Sequence, residues 1–357
     1  MSQPTKTAIK WLVGTALGLF FIWLGSQDWP IDLLFSQEIT MNGTVLDAGT
    51  WRMDLLYLLP YFGALTLIHF LRVIRWQPLL APIADIGFWR LNQVSAEGFM
   101  WLFLLPFRLG ELARPYLISD RGDVGMAEAL ATVVVERIVD GLIVSALLFV
   151  VLFFLPEQGS ASYVQIRGGA YLAIGIFSTA LGVLIAAWFW RDWTMNLLDR
   201  IFGLLSAPIA AKVRTLIEDF YDGLSVLPSW RHLATFVSYS LVYWLLNGYA
   251  YYILALGFEN LEIPLLAGYA MMCCVVVGMM LSNPPANVGV FWYFLLKPMA
   301  LYGIATGNPS ATAFALVAWL GQLIQQSAFG LYYVAKPSSE YDVQKSPETE
   351  IPPSQPA

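Results

Sequence analysis

The chain has 357 residues, of which 58% are hydrophobic, 15% aromatic and only 12% charged. A soluble domain could not hide that much apolar surface, so with a mean hydropathy of +0.64 the chain reads as an all-α, polytopic membrane protein. The net charge of −6 argues against nucleic acid, and two adjacent cysteines, Cys273 and Cys274, exclude a disulfide framework.

Spans of about 20 mostly apolar residues are expected at 8–27, 53–71, 127–155, 168–190, 232–256 and 310–335. The first follows Lys6 and Lys10 as a secretory signal would. It ends in Trp23-Leu24-Gly25-Ser26-Gln27-Asp28 with no small-x-small cleavage site, and is read as an uncleaved anchor. Two further apolar stretches, 86–118 and 264–304, are broken in the middle by Pro and Gly. If 86–118 enters and leaves on one side, Arg72, Arg75, Arg90, Arg108, Arg114 and Arg121 all stay cytoplasmic. Of the 19 Lys and Arg, only Arg52 and Arg167 then fall outside, and only Arg137 and Lys297 in the membrane. That bias is the positive-inside rule with both termini cytoplasmic, and the second broken stretch then dips in from the outer side. The segment 192–230 spaces Leu197, Ile201, Leu205, Ile209, Val213, Leu216, Phe220 and Leu224 three or four apart, between charged residues. It reads as a cytoplasmic amphipathic segment on the membrane surface. Residues 1–335 thus form one transmembrane domain, and the Pro-rich tail 336–357 is expected to be disordered.

Both breaks contain Pro-x-x-aliphatic-Gly: Pro106 to Gly110, and Pro285 to Gly289. Pro removes a backbone donor and Gly permits the turn, so each stretch is expected to be a re-entrant helical hairpin. Unpaired backbone at membrane depth is tolerated where it is buried in protein or lines a wet cavity. Corresponding breaks in the two halves suggest an inverted repeat with a substrate site between them; coincidental loop punctuation is the alternative.

The span starting near Ala127 carries Glu136, Arg137 and Asp140, with the two acids four apart on one helix face. A charge near the bilayer centre costs roughly 2.5–3.5 kcal/mol, so these groups must face a cavity or one another. They form either the polar wall of a headgroup path or a structural ion pair. In the first hairpin Arg108 and Arg114 have the side chain best matched to bidentate phosphate binding, with Glu111 placed to orient them. For Arg114 plain anchoring at lipid headgroups weighs as much; Arg108, inside the turn, favours function. In the second hairpin Asn283 and Asn287 either bind sugar or phosphate oxygens or are ordinary turn formers near Pro, and Lys297 either meets a phosphate or snorkels. His69 and His232 lie far apart, so no metal site is read. No nucleotide loop or nucleophile–base arrangement is present in the sequence, and no cofactor is expected.

Three segments resemble the flippase-like family of the lysylphosphatidylglycerol synthase transmembrane region. They are Arg72-Val73-Ile74-Arg75-Trp76, Leu105-Pro106-Phe107-Arg108-Leu109-Gly110-Glu111-Leu112-Ala113-Arg114, and Ala131-Thr132-Val133-Val134-Val135-Glu136-Arg137-Ile138-Val139-Asp140. Their order and spacing match, and with the second hairpin the similarity spans nearly all of the chain but the tail. The family pattern Pro-Gly-Gly-aliphatic-Gly-x-x-Glu is here Pro285-Ala286-Asn287-Val288-Gly289-Val290-Phe291-Trp292, with Trp in place of the acid. The soluble aminoacyl-transferring domain of two-domain relatives is missing. The resemblance therefore implies lipid translocation without lipid synthesis, in a prokaryotic cytoplasmic membrane.

The leading expectation is a transporter that flips an anionic phospholipid or prenyl-phosphate lipid, its headgroup passing between the hairpins. Transport would be downhill or ion-coupled, with Glu136 and Asp140 as the carboxylates to test. A membrane enzyme of lipid or polyprenyl-phosphate chemistry and a non-transporting envelope scaffold are the alternatives. Homo-oligomerisation stays open.

Overall fold

The computed structural model describes residues 38–41, 44–47, 51–105, 109–120, 123–155, 161–191, 193–195, 207–224, 229–281, 284–304 and 308–335. The expected span 8–27, Arg108, Arg121, Asn283 and the tail 336–357 lie outside them, as does part of the amphipathic segment.

The described chain is helical apart from one antiparallel hairpin, β1 (Glu38–Met41) paired with β2 (Thr44–Asp47). Two strands of four residues each leave the fold all-α, as expected. The helices are α1 (Leu58–Ile74), α2 (Gln77–Leu80), α3 (Phe88–Leu104), α4 (Ala113–Asp120) and α5 (Met126–Phe153), followed by α6 (Ala161–Phe189) and α7 (Ala207–Gly223). Next come α8 (Trp230–Ala255), α9 (Leu265–Leu281), α10 (Val290–Leu296) and α11 (Pro309–Ala335). Local chemistry sets several of their starts. The Asp54 carboxylate accepts from Leu56 N at 2.9 Å ahead of α1, and Glu128 reaches back to Gly125 N at 3.0 Å at the start of α5. Asn308 accepts from Ala311 N at 3.1 Å beside Pro309 at the start of α11.

Among the described residues three helical stretches are long and apolar enough to cross a membrane: Leu55–Leu80, Tyr163–Phe189 and Pro309–Ala335. Their outward faces present large apolar side chains, such as Leu172, Ile176 and Val183 of α6 and Ile324 and Leu331 of α11, all more than half exposed. Exposure on that scale needs lipid around it. The 28 residues of α5 reach about 42 Å, but the helix carries the charged triad at its middle.

Both broken stretches double back. After Leu105 the chain returns along α3 through a 3₁₀ turn, Leu109–Leu112, into α4. The return is so close that a Cβ on Gly110 would stand 2.2 Å from Leu102 Cα, and one on Gly98 2.4 Å from Arg114 Cγ. Helix α3 is buried along all of Leu91–Met100, polar side chains included. In the second stretch α9 ends at Leu281, a 3₁₀ turn spans Pro285–Asn287, and α10 folds back onto α9. Ala286 and Asn287 take φ of 52° and 56°, and Gly289 of 79°. Asn and Gly tolerate this left-handed region, whereas Ala is strained in it. Trp319 of α11 holds the strained turn by donating from Nε1 to the Ala286 carbonyl at 2.7 Å.

Helix α7 packs on the first half of α5, with Tyr221 and Leu224 buried. Leu216, assigned by spacing to the apolar face, is 51% exposed. The apolar core divides into two clusters. Along α1 the division falls between Ile68 and Val73, along α5 between Ile138 and Val144, and along α8 between Phe236 and Tyr243. The layer that separates them is charged.

Gly110→Ala should cost about 1–3 kcal/mol, because backbone cannot move aside for the new methyl. Gly168→Ala, with nothing within 4 Å of its Cβ, should be neutral or slightly stabilising. Unfolding in detergent measures both.

Candidate functional site

The layer is built around Arg75, the residue that closes α1. It is fully buried. Its Nη1 donates to Asp140 Oδ1 at 2.5 Å and its Nη2 to Asp140 Oδ2 at 2.9 Å, the two-pronged geometry that guanidinium and carboxylate share. Nη2 also reaches Glu136 Oε1 at 2.7 Å, and Nη1 lies 3.3 Å from Ser240 Oγ of α8. Trp244 of α8 donates from Nε1 to Asp140 Oδ1 at 2.9 Å. One guanidinium thus joins α1, α5 and α8.

Arg114 of α4 donates from Nη2 to Glu136 Oε2 at 2.9 Å and is stacked near the rings of Trp76 and Phe99, at 4.7 and 5.1 Å. Arg137 pairs with Glu136 and lies 3.4 Å from Asp140. Both carboxylates are buried to 0% exposure, and three arginines share them. Each ion lost several kcal/mol of hydration on burial, and only this mutual pairing offsets it.

Two arginines lead out of this lock. Arg137 keeps 22% of its side chain exposed. Arg72, one turn before Arg75, lies with its guanidinium 3.7 Å over the Phe99 ring and has no carboxylate partner among the described residues. Both line a cavity of about 160 Å³, ten or so times what one ordered water needs. The turns of both hairpins reach that cavity: Glu111 comes from the first and Asn287 from the second. The lining also includes Gln322, Gln325 and Gln326 of α11, with Asn247 of α8. His69 of α1 is also on the lining, tied through Asn92 (2.9 Å) to the Tyr333 hydroxyl (2.6 Å from Asn92 Nδ2).

The residues expected from sequence divide accordingly. Glu111, Arg137 and Asn287 meet at the cavity, while Arg114, Glu136 and Asp140 form the buried lock behind it. Gly110 and Gly289 shape the two turns without lining the space. Lys297 stands away from the cavity and donates to the Tyr293 hydroxyl at 2.9 Å. Arg108 is outside the described residues. Sequence reasoning missed Arg72 and Arg75 as site residues, counting them only among the cytoplasmic basic residues. The Arg-x-x-Arg spacing that puts both on one helix face was the available signal. It also missed the amides of α11, three within five residues of an otherwise apolar helix.

The match to known families is decided over this same stretch of chain. The model of the lysylphosphatidylglycerol synthase transmembrane region matches residues 11–330. The chain belongs to that family. Membership makes it a membrane protein whose work concerns lipids, and the expected resemblance holds over nearly the whole chain. Comparison with curated proteins and with solved structures found no match. The three segments that suggested the family are those that build the lock: Arg75 lies in the first, Arg114 in the second, Glu136 and Asp140 in the third.

Arg75→Ala leaves two buried carboxylates short of a partner and should cost about 3–5 kcal/mol, and Arg75→Lys should recover only part because it cannot span both Asp140 oxygens. Arg72→Ala, which breaks no ion pair, should cost far less. Denaturant or detergent unfolding of the three variants gives the comparison.

Proposed function

We propose that the protein moves a phosphate-headgroup lipid, an anionic phospholipid or a prenyl phosphate, from one leaflet to the other through the cavity between the two hairpins. The observation that carries this reading is an unbalanced charge: Arg72 and Arg137 reach the cavity, and Arg72 has no carboxylate partner among the described residues. A cation held in an apolar setting without a counter-ion is a ready site for an incoming anion, and guanidinium suits phosphate. In this reading the hairpins are re-entrant, the two halves form an inverted repeat, and six spans carry them with both termini in the cytoplasm. The strained turn at Ala286–Asn287 fits a segment that acts on the headgroup. The acyl or prenyl chains stay in the bilayer while the headgroup exchanges one arginine for the next.

Glu136 and Asp140 take the architectural part in this scheme, because three arginines already saturate them. The polar headgroup path then runs along Arg72, Arg137 and Glu111. Arg114 belongs with Glu136 to the lock behind that path, and Lys297 fits an anchor at the membrane surface.

In proteoliposomes with lipids fluorescent on one acyl chain, Arg72→Ala should slow movement of an anionic phospholipid by about tenfold to a hundredfold, the loss of one charge-assisted hydrogen bond. Arg72→Lys should retain an intermediate rate. An unchanged rate in Arg72→Ala would remove the phosphate role from this cavity.

A further inference from the structure

His69 lines the same cavity from α1, is 4% exposed and takes no part in the headgroup path. The Phe329 and Phe99 rings stand 4.3 and 5.8 Å from its own, centroid to centroid, and hold it in place. Asn92 Nδ2 donates to the Tyr333 hydroxyl at 2.6 Å, which leaves Asn92 Oδ1, 2.9 Å from His69 Nε2, as an acceptor. Nε2 therefore carries the ring hydrogen, and Nδ1 is the basic nitrogen. Among the described residues no hydrogen bond reaches Nδ1. Arg72 follows one turn later on α1, with its guanidinium over the same Phe99 ring. The other charged or titratable groups on the lining are Glu111 of the first turn, Arg137 of α5, and Tyr243 and Tyr251 of α8, with Tyr333 of α11 behind Asn92. From α3 come Asn92 and Phe99, while Glu97 is buried outside the lining.

We infer that His69 is a proton-binding site coupled to the cavity, so that an anion held by Arg72 and Arg137 and a proton on His69 Nδ1 favour each other. The ground is charge. A third cation beside two arginines is repelled while the cavity is empty, and an anionic headgroup among them removes that repulsion. The proton comes from water onto the Nδ1 lone pair and returns to water when the headgroup leaves. Coupling of this kind is reciprocal, so acid that loads His69 also strengthens the hold on the anion. Glu136 and Asp140 are not free to serve in its place, because arginines already pair with both. This rests on the translocation reading above and adds a proton dependence to it.

The test uses the full chain in phosphatidylcholine vesicles, with acyl-labelled phosphatidylglycerol at low density as the probe and the same pH on both sides. The phosphodiester of the probe stays ionised from about pH 8 to about pH 5, the range over which histidine changes charge. Across that range the wild-type rate should rise about tenfold as the pH falls. His69→Gln, whose amide nitrogen can still donate to Asn92, should show a flat profile at the slower rate. His232→Gln, at the start of α8 where His232 meets Ser229 at 2.8 Å, should keep the wild-type slope. Asn92→Asp sets a carboxylate against Nε2 and should move the midpoint of the profile up by about one pH unit. A flat wild-type profile, a slope that persists in His69→Gln, or an unmoved midpoint in Asn92→Asp would overturn the inference while leaving translocation intact. If the probe moves at no pH, the translocation reading falls and the coupling falls with it.

Discussion

Everything else in the molecule is arranged around the need to bury two carboxylates between two halves of an apolar core. Glu136 and Asp140 sit one turn apart on α5 with no solvent exposure, and Arg75 answers both from the end of α1. A pair of this kind gives little net stability over a well-packed apolar substitute, yet it is costly to break. Its value lies in position. Arg75 can meet Asp140 with both prongs only when α1, α5 and α8 are in register, and Arg114 can meet Glu136 only when the first hairpin has folded back along α3. The lock therefore fixes where the hairpin turn ends up, and with it where Glu111 reaches the cavity.

The same arrangement explains how charge stays available in an apolar setting. Arg75, Arg114 and Arg137 pair with Glu136 or Asp140, and Arg72 has no carboxylate partner among the described residues. Arg72 lies on the side that opens to the cavity, where the Phe99 ring supports it, while Tyr243 stands 4.3 Å from Arg75 within the lock. On the far side the second hairpin carries no compensating acid. Trp292 takes the place where the family pattern has Glu, and it is buried against Trp319 with ring centroids 5.1 Å apart. That aromatic pair has a task of its own, since Trp319 also holds the Ala286 carbonyl.

Much of this was legible in the sequence. Apolar length located α1, α5, α6, α8 and α11 to within a few residues except for the start of α6, and the Pro and Gly breaks marked both turns. The charged triad was singled out as having to face a cavity or one another: Glu136 and Asp140 are paired with arginines, and Arg137 both pairs with them and lines the cavity. What sequence could not supply was the partner. Arg72 and Arg75 stand at the end of an apolar run, where basic residues ordinarily reach for headgroups. Only packing against α3, which puts Phe99 under Arg72, and against α5 and α8, which supply the partners of Arg75, turns them inward. The amides of α11 escaped for a related reason, because one helix read alone does not reveal which of its faces meets a cavity.

The central claim is that Arg72 holds a lipid phosphate in the cavity while the lock behind it holds the fold. Its most direct test is mass spectrometry of lipids that stay bound through mild purification, comparing the wild type with Arg72→Ala and Lys297→Ala. One phosphate lipid should be enriched in the wild type, kept in Lys297→Ala and lost in Arg72→Ala. The same unselected membrane lipid in all three proteins would contradict the claim.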